Sequence, residues 1–451
     1  MTFATALSGL NAASNDLSVT GNNIANVNTD GFKQSVSEFS DVYASSIAGV
    51  SSITPGSGVS VANDAQQFSQ GILQGTNNNL DMAISGGGFF TLAQSPTNTN
   101  DLSYSRDGEF ELDQNGYLVN NQGNAVMAYA PNGATVAAGF STGVLQPIKI
   151  DTLTGPPTPT STINLNVNLN ASNSVPSVTP FSPTNPSSYN SQTSATIYDS
   201  LGTPHIITTY FVNAGSSTDT TGATVTDWQA YHYISDPATP TAQTPLDATS
   251  IGSSVSTATI PTATATTPVP GDLTFDSSGN LISPTGGDFS LETYTVNPPT
   301  GAAPITISDM NYSGSTQVQQ AFSVNGQTQN GLPAGQLTGV SIDDTGVISA
   351  NFSNGGTLPL GQVALSNFAN VNGLSKIGST SWKQSSSSGP ATLGTAGSGS
   401  LGTIQSGSVE TSNVNLSNEL VNLIVAQQAY QANAKTITTE NNIMTSILQI
   451  Q

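Results

Sequence analysis

The 451-residue sequence predicts a mainly β chain with an α-helix at each end. Three observations carry this. Both termini repeat apolar residues at alternating steps of three and four, the seam of a coiled coil. The long middle is built of short alternating runs broken by Gly, Asn and Asp. Two shifts in composition, one rich in Pro and Thr and one rich in Gly and Ser, set the middle apart from what flanks it.

The N-terminal seam runs through Phe3, Leu7, Leu10, Ser14, Leu17, Gly21 and Ile24, and five of these seven are large and apolar. Asn26 to Gly31 is a string of turn formers that ends this helix. Strands are expected at Gly88–Leu92, Glu109–Leu112, Gly116–Val119, Thr196–Tyr198, His205–Val212 and Ala230–Ile234. Asp113–Gly116, Asp276–Gly279 and Asp343–Gly346 have the composition of hairpin turns. The Pro/Thr stretch Thr154–Pro159 and the Gly/Ser stretch Gly394–Gly407 mark the two boundaries, and Asn213–Thr226 and Pro237–Pro270 look like loop inserts. The C-terminal seam is longer: Leu416, Leu420, Leu423, Gln427, Tyr430, Ala434, Ile437, Asn441, Met444 and Leu448, with Asn413 or Asn415 as N-cap. No Pro or Gly interrupts Leu416–Gln451, so the helix forms a rod of roughly 50 Å. Neither seam has an obvious partner in the β middle. The two helices are expected to pack on each other and on copies from neighbouring subunits.

Composition narrows the function. Six basic residues face 27 acidic ones, a net charge of −21, and the basic residues are scattered singly. Binding to nucleic acid needs clustered cations, so nucleic acid is excluded as a partner, as is an anionic membrane. Charged residues make up only 7% of the chain, against about 25% in an average protein. Neutral hydroxyl and amide surfaces of this kind suit dense packing of identical copies. Cysteine is absent, so there is no disulfide framework. No apolar run approaches the ~18–20 residues of a membrane span. No basic residue precedes Lys33, as a cleaved secretory signal would require. A soluble chain is expected, exported without a cleaved signal peptide if it is exported.

Ser18 to Lys33 resembles the N-terminal signature of the flagellar rod/hook axial protein family, and Val425 to Lys435 is similar to its C-terminal signature. Ile84–Phe90 and Tyr104–Phe110 look like motifs shared by hook and distal-rod proteins. Tyr198–Gly202, Leu273–Asp276 and Gly361–Asn370 resemble the hook branch. The resemblance is clear over residues 1–145 and 323–451 and looser between.

It implies four parts: a coiled-coil domain of terminal helices (1–30 and 412–451), a linking segment (31–70 and 395–411), an inner β domain (71–145 and 323–394) and an outer β domain (146–322). It also implies a function. Subunits of such a family polymerise into a curved, flexible, extracellular tube, the universal joint that passes motor torque from rod to filament. The implied partners are further copies in a helical homopolymer, the distal rod protein, the hook cap, the hook–filament junction proteins and the flagellar type III export apparatus. The self-assembly interface is expected at Phe3, Leu7, Leu10, Leu17, Ile24, Leu416, Leu420, Leu423, Tyr430, Ile437, Met444 and Leu448. The competing readings are another axial protein (distal rod or hook–filament junction) and a β-rich surface adhesin.

Other signals point to no chemistry. Gly397–Gly402 matches G-x-G-x-x-G, but a Gly/Ser run precedes it and no helix begins within it, so it reads as linker. His205 and His232, the only histidines, lie near Asp199 and Asp236 without metal-ligand spacing and read as strand residues. No pair of carboxylates stands out for acid–base work. No enzyme activity and no cofactor are expected.

Overall fold

The computed structural model describes residues 2–42, 56–150, 154–219, 222–236, 239, 241–250, 268–297 and 299–449. The chain is mainly β, with helix α1 (Thr2–Ala25) at one end and helix α2 (Leu416–Gln449) at the other. It divides into two compact units. The first comprises Met1–Thr152, Thr338–Asn351 and Thr357–Gln451, and the second Leu153–Leu337 and Phe352–Gly356.

In the first unit α1 packs on α2 and on a two-stranded antiparallel hairpin, β1 (Ser35–Asp41) and β2 (Val59–Gln66). A hairpin of this size is marginal alone and needs a cover, which α1 supplies. Beyond it, a sheet of twelve strands among the described residues carries the core. Phe89, Tyr104, Phe368 and Trp382 meet edge to face in that core, the arrangement that ring quadrupoles favour. Phe68 joins them, and the Trp382 indole donates to Gln66 Oε1 at 2.5 Å, which ties the end of β2 to the sheet.

The second unit contains two six-stranded sheets among the described residues, sharing one apolar core. Ile163, Leu165, Val167 and Leu169 alternate with Asn along strand Thr162–Asn170 and all point into that core with Phe211, Trp228, Phe275 and Phe289. The chain enters and leaves this unit as an antiparallel pair, bridged at Gly155–Gly335 and Thr158–Leu332.

Asp113, Asp276 and Asp343 each close a hairpin turn. Each carboxylate accepts from the amides two and four residues on, and the glycine between takes φ near +80°. Asp199 builds the same turn at Gly202.

Two inserts read differently. Of Asn213–Thr226, the stretches 213–218 and 224–226 are strand, and residues 220 and 221 lie outside the described residues. Strands Pro204–Thr218 and Thr224–Ser235 pair through it, with a bulge between Asn213 and Gly215. Ser and Thr there hide the alternation from a count of large apolar residues. Within Pro237–Pro270, Thr244–Leu246 and Ala248–Ser250 are strands, and residues 251–267 lie outside the described residues. The Gly/Ser boundary is structured too. Thr392–Thr395 pairs with Thr357–Asn367, and Thr403–Ser406 pairs with Met82–Ser85. Gly397–Gly402 forms the turn between those two strands.

Candidate assembly surface

Helix α1 carries two stripes, and they differ by one residue. The stripe that faces the rest of the first unit is Ala6, Gly9, Ala13, Asp16, Thr20 and Asn23, all buried or half-buried. Each of these residues immediately precedes a position of the apolar seam, so the two stripes lie about 100° apart on the helix. Small and polar residues make the contact within the chain, and the large apolar ones are left beside it.

The contact with α2 is antiparallel and in register. Asn23 Nδ2 donates to Glu419 Oε2 at 3.2 Å and to the Ser35 carbonyl, and Asn23 Oδ1 accepts from the Ser35 amide. Fourteen residues along each helix from that pair, ~21 Å away, Gly9 faces Asn433. A Cβ at Gly9 would lie 2.8 Å from Asn433 Oδ1, so the tip of the Asn433 side chain packs directly on the glycine. Burial and the Glu419 carboxylate both hold the Asp16 carboxyl above its usual range. On its other flank α1 grips the hairpin: Asn15 Nδ2 donates to Asp64 Oδ1 at 2.8 Å, and Ser8 Oγ accepts from the Val59 amide.

At the foot of α2 the two candidate caps divide the work. Asn415 caps the helix, its Oδ1 accepting from the Asn418 amide. Asn413 accepts from the Gln34 amide and donates to the Gln67 and Ser69 carbonyls.

The residues expected at the assembly interface are placed as follows. Phe3 is 53% exposed and Leu7 42%, while Leu10, Leu17 and Ile24 are half-buried. In α2, Leu423 and Ile437 are half-buried on the face that also buries Glu419 and Ala426. Leu416, Leu420, Tyr430, Met444 and Leu448 are exposed. Sequence reasoning missed Val421, Ile424 and Val425, which are exposed outside its register. The available signal was the run Leu420–Ala426, apolar nearly all the way round the helix. A helix of that kind is normally covered on all sides.

Beneath the helices lies a buried cluster of charge. Lys33 Nζ meets Glu410 Oε1 at 2.5 Å, and Arg106 Nη1 meets Glu410 Oε2 at 3.1 Å. Glu410 Oε1 also accepts from the Gly71 amide at 2.7 Å, and the Glu410 carbonyl accepts from the Gly31 amide at 2.7 Å. Lys33 donates further to the Ser69 carbonyl and Arg106 to the Gly86 carbonyl. Gly31 has φ +68°, and a Cβ there would lie 2.4 Å from the Asp107 nitrogen, so the turn after α1 needs glycine.

In the second unit both histidines sit in strands and are buried. His205 presents Nε2 to Asp199 and Nδ1 to Asp236, so the two carboxylates flank opposite sides of the ring and do not converge on one point. His232 is held against the Tyr312 hydroxyl, and burial lowers its pKa to about 3. No group of three metal-ligating side chains occurs among the described residues, and no helix of theirs is long and apolar enough to cross a membrane.

Comparison with known proteins matches the chain in four stretches. Residues 3–33 match the family described as flagella basal body rod protein, and 83–170 the flagellar hook protein FlgE/F/G D1 domain. Residues 164–332 match the flagellar basal body protein FlaE D2 domain, and 405–450 the flagellar basal body rod FlgEFG protein C-terminal region. The chain is 39% identical to the flagellar hook protein FlgE of Escherichia coli over the full length of both. It is 29% identical to that of Treponema pallidum over 99% of this chain and 98% of the relative. The crystal structure of Helicobacter pylori flagellar hook protein FlgE2 shares the fold, with a TM-score of 0.51 and 17% identity, covering 75% of this chain and 100% of that one.

Proposed function

This chain belongs to the flagellar hook protein family, and on that premise we propose that its exposed helical stripes are the surfaces through which copies polymerise. It is a non-enzymatic structural subunit of the bacterial flagellar hook, located outside the cell, and it polymerises with axial flagellar proteins. One observation supports the stripes as the joining surface. On the α1 side the contact with α2 uses mainly small and polar residues, on the α2 side Leu423 and Ile437 are half-buried, and the pair leaves Phe3, Leu7, Leu416, Leu420, Val421, Ile424, Val425, Met444 and Leu448 open to solvent.

Magnitudes favour this reading. Fully burying a large apolar side chain is worth about 1.5–3 kcal/mol, so each half-exposed one gains about 1 kcal/mol in a packed neighbour. Nine such residues supply on the order of 10 kcal/mol per subunit, comparable to the freedom lost on association, about 4–15 kcal/mol. A soluble monomer has no reason to keep so many large apolar side chains exposed on two helices. The terminal helices then form the packed inner layer of a tube, residues 31–70 and 395–411 link them to the β domains, and the second unit serves as the outer domain. The distal rod protein, hook cap and hook–filament junction proteins are the neighbours expected at the two ends of the polymer. The flagellar type III apparatus is the expected export route.

Removal of residues 1–30 or 415–451 tests the assignment. Both cuts spare the β-sheets and their apolar cores, so a folded, soluble β-rich monomer should remain and should not polymerise. Tubes of truncated protein in electron micrographs would refute it.

A further inference from the structure

Three segments far apart in sequence meet at one carboxylate. Lys33 follows α1, Arg106 lies in a loop of the β region, and Glu410 comes just before α2. All three are buried: Glu410 is 0% exposed, Lys33 1% and Arg106 5%. Two cations share one anion, so the site keeps an excess positive charge, and the buried Arg106 Nε has no hydrogen-bond partner. Such a trio is a poor source of stability, because desolvating three charges offsets much of what their pairing returns. The geometry suggests another use.

We propose that the trio is a completion latch: the roots of both terminal helices become fixed only when the C-terminal segment delivers Glu410 to Lys33 and Arg106. Without residue 410, Lys33 and Arg106 would face each other with no counter-charge in a site closed to water. That arrangement is strongly unfavourable, so the junction stays open and hydrated. Arrival of Glu410 changes four contacts at once. Its carboxylate takes Lys33, Arg106 and the Gly71 amide, and its carbonyl takes the Gly31 amide. Gly31 ends the turn after α1, and residues 408–410 pair antiparallel with Leu73–Gly75. One residue therefore clamps the foot of α1, the foot of α2 and the strand between them.

Register follows from the clamp. With both feet fixed, Asn23 meets Glu419 and Gly9 meets Asn433 without either helix being free to slide. An incomplete chain, or one whose end has not yet arrived, keeps α1 loose and cannot present a correctly registered helix pair. The latch thus withholds the assembly surface from unfinished subunits. It is a property of the single chain and does not depend on which surface joins copies.

The test is hydrogen exchange on full-length Glu410→Gln and Lys33→Met, read at amides that report the latch and at amides that do not. Glu410→Gln leaves two buried cations unpaired. The Gly31 and Gly71 amides should lose protection by at least about 100-fold, while strand Phe89–Ser95 keeps its own. Lys33→Met leaves one cation with one carboxylate, and both reporter amides should stay within about 10-fold of the parent. Equal loss in the two variants would overturn the latch, as would unchanged protection in Glu410→Gln. Loss in Glu410→Gln that extends through Phe89–Ser95 would make Glu410 an ordinary core residue and would overturn it equally.

Discussion

Asn23 of α1 is hydrogen-bonded to Glu419 of α2 across 396 positions of sequence, Nδ2 to Oε2 at 3.2 Å. That bond sits at one end of a helix pair, and fourteen residues along each helix the Asn433 side chain packs on Gly9. The pairing depends on small side chains, and enlarging one should loosen it. Gly9→Val crowds the tip of the Asn433 side chain, which its bond to the Ala429 carbonyl holds in place, and should weaken the pair by about 1 kcal/mol. Exchange protection along α1 should fall, with the melting of the β region unchanged. Unaltered protection would mean that Gly9 is not at a contact.

The outer face of α2 gives a cleaner lesion than the inner one. Leu423 is half-buried within the subunit, so Leu423→Asp should damage both the helix pair and assembly. Ile424 is 54% exposed, so Ile424→Asp should leave the monomer's circular dichroism and melting temperature within error of the parent and still block tubes. Monomer destabilisation by Ile424→Asp of more than about 1 kcal/mol would show that this residue already has a partner within the chain.

Acid should stabilise the second unit at one site. Burial, and then the neighbouring Asp227 carboxylate, raise the Asp272 pKa from 3.8 to about 6. A raised carboxyl pKa means the folded state binds the proton more tightly, so this group's contribution to stability falls as pH rises from about 4 to about 6. Asp272→Asn removes the penalty. It should raise the melting temperature at pH 7.5 and have little effect near pH 3.5. An equal gain at both pH values would assign the effect to packing and not to charge.

The second unit should be dispensable for tube formation. Its chain enters and leaves through the Gly155–Gly335 bridge, so residues 156–334 can be replaced by a short Gly/Ser linker without moving the flanking strands. Hooks of such a chain should be hollow but straighter, because the second unit has few charged residues and its hydrated polar contacts between copies, which can slide at low cost as a tube bends, are gone. Absence of tubes, with the protein exported and folded, would contradict this.

Much of this was legible in the sequence, and the reasons for the rest are physical. Helix α2 is readable because apolar residues at alternating steps of three and four, with no Pro or Gly among them, leave few alternatives. The Asp-x-x-Gly turns were readable because one carboxylate and one glycine specify them locally. In the sequence of α1 only one stripe, the apolar seam, stands out. In fact the chain spends Ala6, Gly9 and Ala13 on itself, and small residues carry no periodic hydrophobic signal. Lys33, Arg106 and Glu410 were invisible as a group, since no local pattern links positions so far apart. The hairpin through Asn213–Thr226 was hidden by Ser, Thr and Gly, whose pairing is seen only with its partner strand present.

The central claim is that the apolar stripe left open by the helix pair is what joins subunits. Electron microscopy of cells producing only Leu7→Asp protein tests it most directly, provided the purified monomer is shown to match the parent in circular dichroism and melting temperature. Leu7 is exposed, and Ala6 beside it makes the contact within the chain. The account predicts an intact, exported monomer and no hooks. Hooks of normal length and curvature would contradict it.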